Sequence, residues 1–437
     1  MVGVLHRSVT LILSGRVPGS DRLGRIVGST SVSRQLERED LRRRGAATRA
    51  VHAGERIPLP IERSTTTPIF PTTTFLHPDL ESLDAVFGGE QAGYNYSRHG
   101  NPTIRALEVA MAALEETDDA IAFGSGMAAL HAAILACVTA GSKIVASREL
   151  FGATYTLLQA IFDSLEVESI FVDQLDLEEM ESAIASVRPR AVLVETISNP
   201  LLNVAHLPLI AEWSHAVGAT VICDNTFATP VLVNPSKFGI DLVMHSTTKY
   251  IGGHGDVLGG VICGDTDRIE DLIRVSRLAG GVIGPFEAWL TLRGVKTMPL
   301  RVRQQSESAS LVAAWLAQHP AIDCVFYPGY SCSTEAAAVF NDDRRGGMVS
   351  FEIANAGRDE VFRFLDALEV FLPGTSLGDV YSLAVSPPMS THRALDEDAQ
   401  VAIGINPGLI RLSIGIEDVE DLIADLDQAL RRIYRTG

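Results

Sequence analysis

The sequence predicts an α/β fold with a mostly parallel sheet and helices on both of its faces. Between residues 103 and 249, short apolar runs alternate with segments of helical spacing, which is typical of successive βα units. Polar groups also follow three consecutive predicted strands, at Asn199, at Asp224 and from Ser246 to Lys249. Because parallel strands end at the same sheet edge, we expect these groups to form one pocket.

The individual elements follow from the apolar spacing along the chain. The predicted helices of the first region are 103–116, 128–138, 177–187 and 207–215, and its strands are 120–123, 143–146, 169–172, 191–196, 220–223 and 242–244. After Gly294 the pattern becomes that of a smaller α/β domain, with helices 306–317, 360–368 and 419–432 and strands 348–353 and 409–414. One face of the last helix is apolar and predicted to be buried, through Leu422, Ile423, Leu426, Leu430 and Ile433.

These patterns divide the chain into four parts. We expect a poorly ordered extension at 1–47, an N-terminal arm at 48–110, a large domain at 111–297 and a small C-terminal domain at 298–437. The first 50 residues hold ten arginines against four acids, whereas the whole chain has a net charge of -18. A transit peptide and an extension without function both fit this start, and the sequence leaves the choice open.

Composition limits the classes of function. The net charge of -18 argues against a nucleic-acid partner, because neutralising phosphates needs a basic face. No apolar run approaches the roughly 18 residues of a membrane span. The five cysteines are scattered, as expected for reduced thiols in a cytoplasmic protein, and no histidine or cysteine spacing predicts a metal site. A small-molecule enzyme is therefore favoured.

Lys249 is the leading candidate for a reactive group. It is one of only four lysines against thirty-two arginines, so solubility does not explain it. It follows an apolar run, with the hydroxyls of Ser246 and Thr248 before it and a group of glycines after it. This pattern indicates a Schiff-base lysine beside a site for an anionic group.

A second anion signal is the turn Gly124-Ser-Gly-Met-Ala-Ala129. Together with the flanking strands and Glu149, it imitates the dinucleotide fingerprint of a dehydrogenase. A glycine turn at a helix start binds any phosphate, so this motif does not identify the cofactor. Two arginines point to further anions: Arg98, beside Tyr96, suits a phosphate, and Arg411, inside an apolar strand, requires a carboxylate from the protein or the substrate.

Six motifs occur in one order: Tyr94-x-Tyr96-Ser-Arg98-x-x-Asn-Pro-Thr103, Gly124-Ser-Gly-Met127, Ser198-Asn-Pro200, Asp224-Asn-Thr226, Ser246-Thr-Thr-Lys249 and Leu409-Ile-Arg-Leu-Ser-Ile-Gly-Ile-Glu417. From about Thr48 to its end, the chain resembles the Cys/Met-metabolism family of enzymes that use pyridoxal 5'-phosphate (PLP). The resemblance implies the aspartate-aminotransferase type of fold, called PLP fold type I, with a seven-stranded type of sheet, and a homotetramer made of two dimers. It displaces the dehydrogenase interpretation, which accounts for neither Lys249 nor Asp224.

The resemblance also implies roles for residues. Lys249 would bind PLP covalently and move protons, Asp224 would keep the pyridine nitrogen protonated, and Tyr96 is a third catalytic candidate. Tyr96 and Arg98 would reach the phosphate from the neighbouring subunit. The remaining implied cofactor contacts are Gly126, Met127, Phe151, Asn199, Thr226, Ser246 and Thr248, and the implied contacts to the amino-acid substrate are Asn199, Ser376 and Arg411.

Four departures from the family pattern bear on the substrate. Phe151 replaces a tyrosine that stacks on the ring, so this side chain cannot transfer a proton. Thr156 replaces an arginine, Thr375 an often acidic residue and Ala153 a cysteine of methionine γ-lyases. We therefore expect γ-replacement on an O-acylated homoserine by a thiol or sulfide, with γ-elimination from cystathionine, methionine or a related amino acid as the alternative. An inactive relative that serves as a scaffold is a third hypothesis.

Overall fold

The computed structural model describes residues 42–53, 64–331, 337–390, 393, 400–401 and 404–433. The predicted extension lies outside this described part up to residue 41. Its last two residues, Ala46 and Ala47, instead begin the helix Ala46–His52. Just before this helix, Arg42 forms an ion pair with Asp118 at 2.8 Å, which attaches the start of the described chain to the large sheet region.

A seven-stranded sheet forms the centre of the molecule, and this confirms the predicted fold class. Its strands are β1 (Asp119–Phe123), β2 (Lys143–Ser147), β3 (Glu168–Val172), β4 (Ala191–Glu195), β5 (Thr220–Asp224), β6 (Leu242–His245) and β7 (Gly260–Gly264). They lie side by side in the order β1-β7-β6-β5-β4-β2-β3. Strands β2 to β6 are parallel, and β7 pairs antiparallel with both β1 and β6.

The sequence did not predict β7 because two glycines bound it and the preceding glycines resemble a loop. Its five residues are nevertheless buried. Other helices of this region cover the sheet or connect its strands. Their bounds are Leu80–Phe87, Pro102–Glu115, Gly126–Cys137, Gly152–Leu157, Leu177–Val187, Leu207–Ala216, Thr229–Leu232, Thr266–Ala279 and Pro285–Val295. A core of side chains from the sheet and from helices Gly126–Cys137 and Thr266–Ala279 fills one face.

A second sheet of five strands follows. Its strands are β8 (Ile322–Phe326), β9 (Met348–Ile353), β10 (Leu372–Pro373), β11 (Leu383–Val385) and β12 (Leu409–Ser413), in the order β10-β11-β12-β9-β8. The accompanying helices are Met298–Leu316, Pro328–Ser331, Arg358–Ala367 and Val419–Ile433. Strand β12 lies inside this sheet, paired with β9 and β11, and carries Arg411.

The last helix packs its apolar face into the core of this second sheet, as its spacing predicts. Leu422, Leu426, Leu430 and Ile433 are at most 2% exposed, and Ile423 packs at the margin of the same core. Helix Met298–Leu316 begins eight residues before its predicted start. None of the helices in the described ranges combines the length and apolarity needed to cross a bilayer.

Candidate active site

One cavity of about 560 Å³ opens at the carboxyl ends of β4, β5 and β6. The parallel strands bring together side chains that are far apart in the sequence, as the fold class requires. Of the thirteen predicted site residues, ten line this cavity: Gly126, Met127, Phe151, Asn199, Asp224, Thr226, Ser246, Thr248, Lys249 and Arg411.

A candidate anion site lies where helix Gly126–Cys137 begins, at the wall of the cavity. Ser125 caps the helix by accepting the Ala128 N–H at 3.1 Å. The first N–H groups of a helix have no acceptor within it, and together with the helix dipole they attract anions. A Cβ at Gly126 would lie 2.9 Å from Cβ of Ser246, so glycine is needed for the helix to approach the Ser246 hydroxyl. This combination suits a phosphate.

Asp224 ends β5 and faces the cavity. Its Oδ1 accepts both the backbone N–H of Thr226 at 2.9 Å and the Thr226 hydroxyl at 2.5 Å. The same hydroxyl accepts the Ser246 N–H at 2.8 Å, which ties the Asp224 carboxylate to the end of β6. Burial raises the pKa of Asp224, and the bonds from Thr226 oppose this rise by stabilising the anion. Thr226 therefore orients Asp224.

Lys249 lies in the turn after β6, with Nζ in the cavity. Nζ donates to Oγ of Ser376 at 3.1 Å. Burial lowers the pKa of Lys249, the nearby charge of Arg411 lowers it further, and Asp379 opposes both effects. A lowered pKa increases the neutral fraction of the amine, which is the form that attacks a carbonyl carbon.

Arg411 is 2% exposed, yet among the described residues no acidic side chain forms an ion pair with it. It donates to Oδ1 of Asn199 at 2.8 Å and to the carbonyl of Thr375 at 3.3 Å, while its Nε has no partner. Burial lowers the pKa of Arg411 to about 10. Of the two expected partners, a structural acid is thus absent from the described chain, and the guanidinium can receive a substrate carboxylate.

Three predicted site residues do not line the cavity. Ser376 contacts Lys249 as described above. Arg98 donates from Nη1 to the carbonyl of Arg277 near the end of helix Thr266–Ala279, and its guanidinium lies 5.6 Å from the ring centre of Tyr96. Tyr96 itself is 41% exposed. Within one chain, this pair is therefore separate from the anion site.

Glu195 is a cavity residue that the sequence interpretation missed. It ends β4, pairs in register with Asp224, and is 5% exposed. Its Oε1 accepts the backbone N–H of Phe151 at 2.6 Å. The available signal was an acid directly after the apolar run of β4, aligned with the acid that ends β5.

The donor groups around the cavity fit PLP. A partly buried amine of lowered pKa suits its aldehyde, a buried carboxylate suits its ring nitrogen, and the helix start with Ser246 suits its phosphate. Clusters of three metal-binding side chains are absent from the ranges that the structure describes. Fold and site together define a PLP-dependent enzyme.

The family model for Cys/Met metabolism PLP-dependent enzymes matches residues 47–431, so the chain belongs to this family. Cystathionine gamma-synthase of Mycobacterium tuberculosis is 42% identical over 388 residues, which are 88% of this chain and 97% of that protein. Cystathionine gamma-lyase of Bacillus subtilis is 39% identical over 376 residues, 84% of this chain and 94% of that protein.

The solved structures agree with this assignment. The crystal structure of cystathionine gamma synthase from Xanthomonas oryzae pv. oryzae, in complex with aminoacrylate and cysteine, is 36% identical with a TM-score of 0.83. The match covers 90% of this chain and 100% of that chain. PLP is thus the cofactor of this enzyme, which belongs to a family of lyases and synthases that act on sulfur amino acids.

Proposed function

We propose that this enzyme acts at the γ-carbon of a homoserine-type amino acid and that its main reaction replaces an O-acyl group with a thiol or sulfide. The observation that carries the proposal is that Arg411, without an acidic partner in the described chain, faces the same cavity as Lys249. The α-carboxylate of an amino acid fits Arg411, and this places the substrate carbons beside the lysine amine.

Each residue then has a distinct task. Ser246, Thr248 and the start of helix Gly126–Cys137 bind the phosphate, and Asp224 holds a proton on the ring nitrogen. When bound, PLP supplies an electron sink that makes protons on neighbouring carbons acidic. Lys249 accepts and returns these protons, which its lowered pKa favours.

Phe151 and Asn199 complete the proposed cofactor site. Phe151 lines the cavity and is 39% exposed, so one face of its ring is free to stack on the cofactor. Its side chain has no proton to give, so a leaving group must receive its proton from another residue, and Lys249 in the same cavity is suited to supply it. Asn199 fixes Arg411 and contacts the ring on its hydroxyl side.

Three uncharged residues of the lining support O-acylhomoserine over cystathionine. They are Ala153, Thr375 and Leu258, and none carries a charge that could form an ion pair with the distal ammonium or carboxylate of cystathionine. The neutral acyl group of O-acetylhomoserine needs no such partner. γ-Elimination from cystathionine or methionine is the second candidate, because the relatives include a lyase of nearly equal identity.

Steady-state assays with O-acetylhomoserine, O-succinylhomoserine, cystathionine and methionine, each with and without a thiol, test this proposal. We expect the highest kcat/KM for an O-acylhomoserine, and a thioether product only when thiol is present. Rapid release of ammonia and a keto acid from cystathionine or methionine, without turnover of the acylhomoserines, would instead identify a γ-lyase.

Thr156 offers a second test of the distal pocket. It is exposed, its hydroxyl donates to the Gly152 carbonyl at 3.0 Å, and it does not line the cavity of its own chain. If its position faces the distal end of a longer substrate, Thr156→Arg raises kcat/KM for cystathionine relative to O-acetylhomoserine about tenfold, through a charge-assisted hydrogen bond. An unchanged ratio of the two kcat/KM values would show that Thr156 does not influence the choice of substrate.

We also propose a cytoplasmic homotetramer, a dimer of dimers in which Tyr96 and Arg98 complete the phosphate site of the neighbouring subunit. Their position outside their own cavity supports this arrangement. Large exposed apolar side chains occur on the same arm, where Leu76 is 96% and Leu80 is 82% exposed. Light scattering coupled to size-exclusion chromatography measures the mass, and a monomer with full activity would contradict the shared site.

The four-part division of the chain also remains a proposal. All strands of the seven-stranded sheet fall within 111–297 and all strands of the second sheet within 298–437, which supports a PLP-binding large domain and a small domain. Limited proteolysis tests the division, since cleavage should concentrate before residue 48.

A further inference from the structure

Glu195 connects two loops that border the cavity. Its Oε1 accepts the backbone N–H of Phe151, which lies in the loop after β2, at 2.6 Å. The backbone N–H of Asn199, in the loop after β4, also favours the anion of this carboxyl group. Glu195 therefore interacts with the backbone of both residues assigned to the stacking face and the hydroxyl side of the cofactor ring.

Glu149 makes the reverse connection. It belongs to the loop after β2, and its carboxylate accepts the Ser198 hydroxyl at 2.6 Å and the Asn203 side-chain amide at 2.9 and 3.0 Å. Ser198 and Asn203 lie in the loop after β4. Because β2 and β4 are neighbours in the sheet, Glu149 and Glu195 cross between the same two loops in opposite directions. We call these two side chains the carboxylate brace.

Glu195 and its neighbour Asp224 differ in the groups that surround their carboxyl groups. Burial raises the pKa of Glu195 well above its ordinary value, and the charges of Asp224 and Glu149 raise it further. No basic side chain of the described chain forms an ion pair with Glu195. Asp224 instead receives two hydrogen bonds from Thr226 and the favourable charge of His245, both of which favour its anion.

We propose that Glu195 is a positioning residue which, as part of the carboxylate brace, sets the slot between Phe151 and Asn199 that receives the cofactor ring. This inference rests on the proposed roles of Phe151 and Asn199. It assigns Glu195 no contact with the reacting atoms.

The test compares Glu195→Ala with Glu195→Gln. The alanine variant leaves the buried N–H of Phe151 without its acceptor, whereas glutamine retains a carbonyl oxygen in nearly the same place. Apoprotein is titrated with PLP, and the dissociation constant, the circular dichroism of the visible band of the bound cofactor and the thermal midpoint of the apoprotein are measured. The dichroism reports the orientation of the ring without any turnover.

The matched control is Asp241→Ala. Asp241 is a carboxylate of the same sheet that accepts a backbone N–H, that of Val221 at 2.7 Å, but it lies before β6 at the opposite edge. Its loss should lower the thermal midpoint without changing cofactor affinity or dichroism. Any loss of affinity that merely follows destabilisation would appear in this control too.

We expect Glu195→Ala to weaken PLP binding about tenfold or more and to reduce the visible dichroism, while Glu195→Gln stays within about threefold of the wild type. Wild-type affinity and dichroism in Glu195→Ala would overturn the positioning role, as would equal losses in Asp241→Ala. Equal losses in Glu195→Gln and Glu195→Ala would overturn the acceptor role, because glutamine keeps a carbonyl oxygen for the Phe151 N–H. These binding measurements do not test which reaction the enzyme catalyses. If the PLP-bound wild type turned over none of the four substrates, the proposed function would be wrong, and the positioning role of Glu195 would be unaffected.

Discussion

The substitution Arg411→Met tests whether Arg411 serves to bind the substrate or to stabilise the fold. At pH 7 the guanidinium is charged in both the folded and the unfolded chain. A pKa lowered from 12.5 to about 10 means that folding disfavours this charge by about 3 kcal/mol. The substitution removes that cost and leaves an apolar side chain of similar length.

Two losses oppose this gain. The hydrogen bonds to Asn199 and to the Thr375 carbonyl disappear, at about 1 to 1.5 kcal/mol each. The free energy of unfolding of Arg411→Met should thus stay within about 1 kcal/mol of the wild type. An arginine in a buried structural ion pair would instead cost about 3 to 5 kcal/mol when removed.

Activity should change far more than stability. A bidentate carboxylate contact contains two charge-assisted hydrogen bonds of about 1.5 to 3 kcal/mol each, so kcat/KM falls about 10²- to 10⁴-fold. The α-carboxylate keeps its charge throughout the reaction, and most of the loss should therefore appear as a higher KM. Kinetics on O-acetylhomoserine with thiol, at checked PLP occupancy, measure this change.

Arg301→Met is the matched control. Arg301 is 5% exposed, burial also lowers its pKa to about 10, and it donates to three carbonyls, those of Tyr250 at 2.8 Å, Gly294 at 2.9 Å and Ile251 at 3.4 Å. By the same balance, its removal gains about 3 kcal/mol from the lost cost of burying the charge, but it loses these three hydrogen bonds and a fourth to the Thr297 hydroxyl at 3.1 Å, at about 1 to 1.5 kcal/mol each. Arg301→Met should therefore destabilise the apoprotein by about 1 to 3 kcal/mol in urea at fixed protein concentration. Equal destabilisation by both variants, or an unchanged KM in Arg411→Met, would contradict a substrate-binding role for Arg411.

Further predictions concern the lysine, the shared site and the buried core. Lys249→Ala should abolish turnover and the visible absorption of the bound cofactor, and a coloured, active variant would exclude Lys249 as the attachment point. In the wild-type apoprotein, the rate of PLP attachment should rise with pH as Lys249 loses its proton, and the midpoint of this rise should lie below 10.5. Arg411→Met should shift the midpoint upward, because the nearby cation that lowers the pKa of Lys249 is lost. Arg98→Ala should weaken PLP retention, and hybrids with Lys249→Ala should regain activity because one site per dimer then has both groups; inactive hybrids after proven subunit exchange would contradict the shared site. His245→Ala should cost about 1 to 3 kcal/mol in urea, since it removes the imidazole that lies 2.6 Å from the buried Glu115 carboxyl group and leaves that group only the amides of Asn225 and Asn234, and a loss below 1 kcal/mol would show that this contact contributes little.

Much of the fold could be predicted because many of its helices and strands follow from the spacing of apolar residues within short stretches of sequence. Helix Leu177–Val187 and strand Met348–Ile353 have the predicted bounds, and strand Leu409–Ser413 differs by one residue. Apolar spacing is a property of residues close together in the sequence, so the secondary structure that it predicts can be recognised without knowledge of the tertiary contacts. The antiparallel strand Gly260–Gly264 could not be found this way, because only its place between β1 and β6 makes it a buried strand.

The chemical groups of the site can be recognised in the amino-acid sequence: a rare lysine among hydroxyls and glycines, a glycine turn at a helix start and an acid after an apolar strand. How these groups meet depends on the folded chain. Asn199 and Arg411 are 212 residues apart and hydrogen-bonded, and Glu195 holds the N–H of Phe151, 44 residues away. Contacts of this kind depend on the order of the strands in the sheet, which places distant residues side by side. They also depend on burial, which changes the free energy of a charged group. Neither property leaves a pattern among neighbouring residues of the sequence, so these contacts could not be predicted from it.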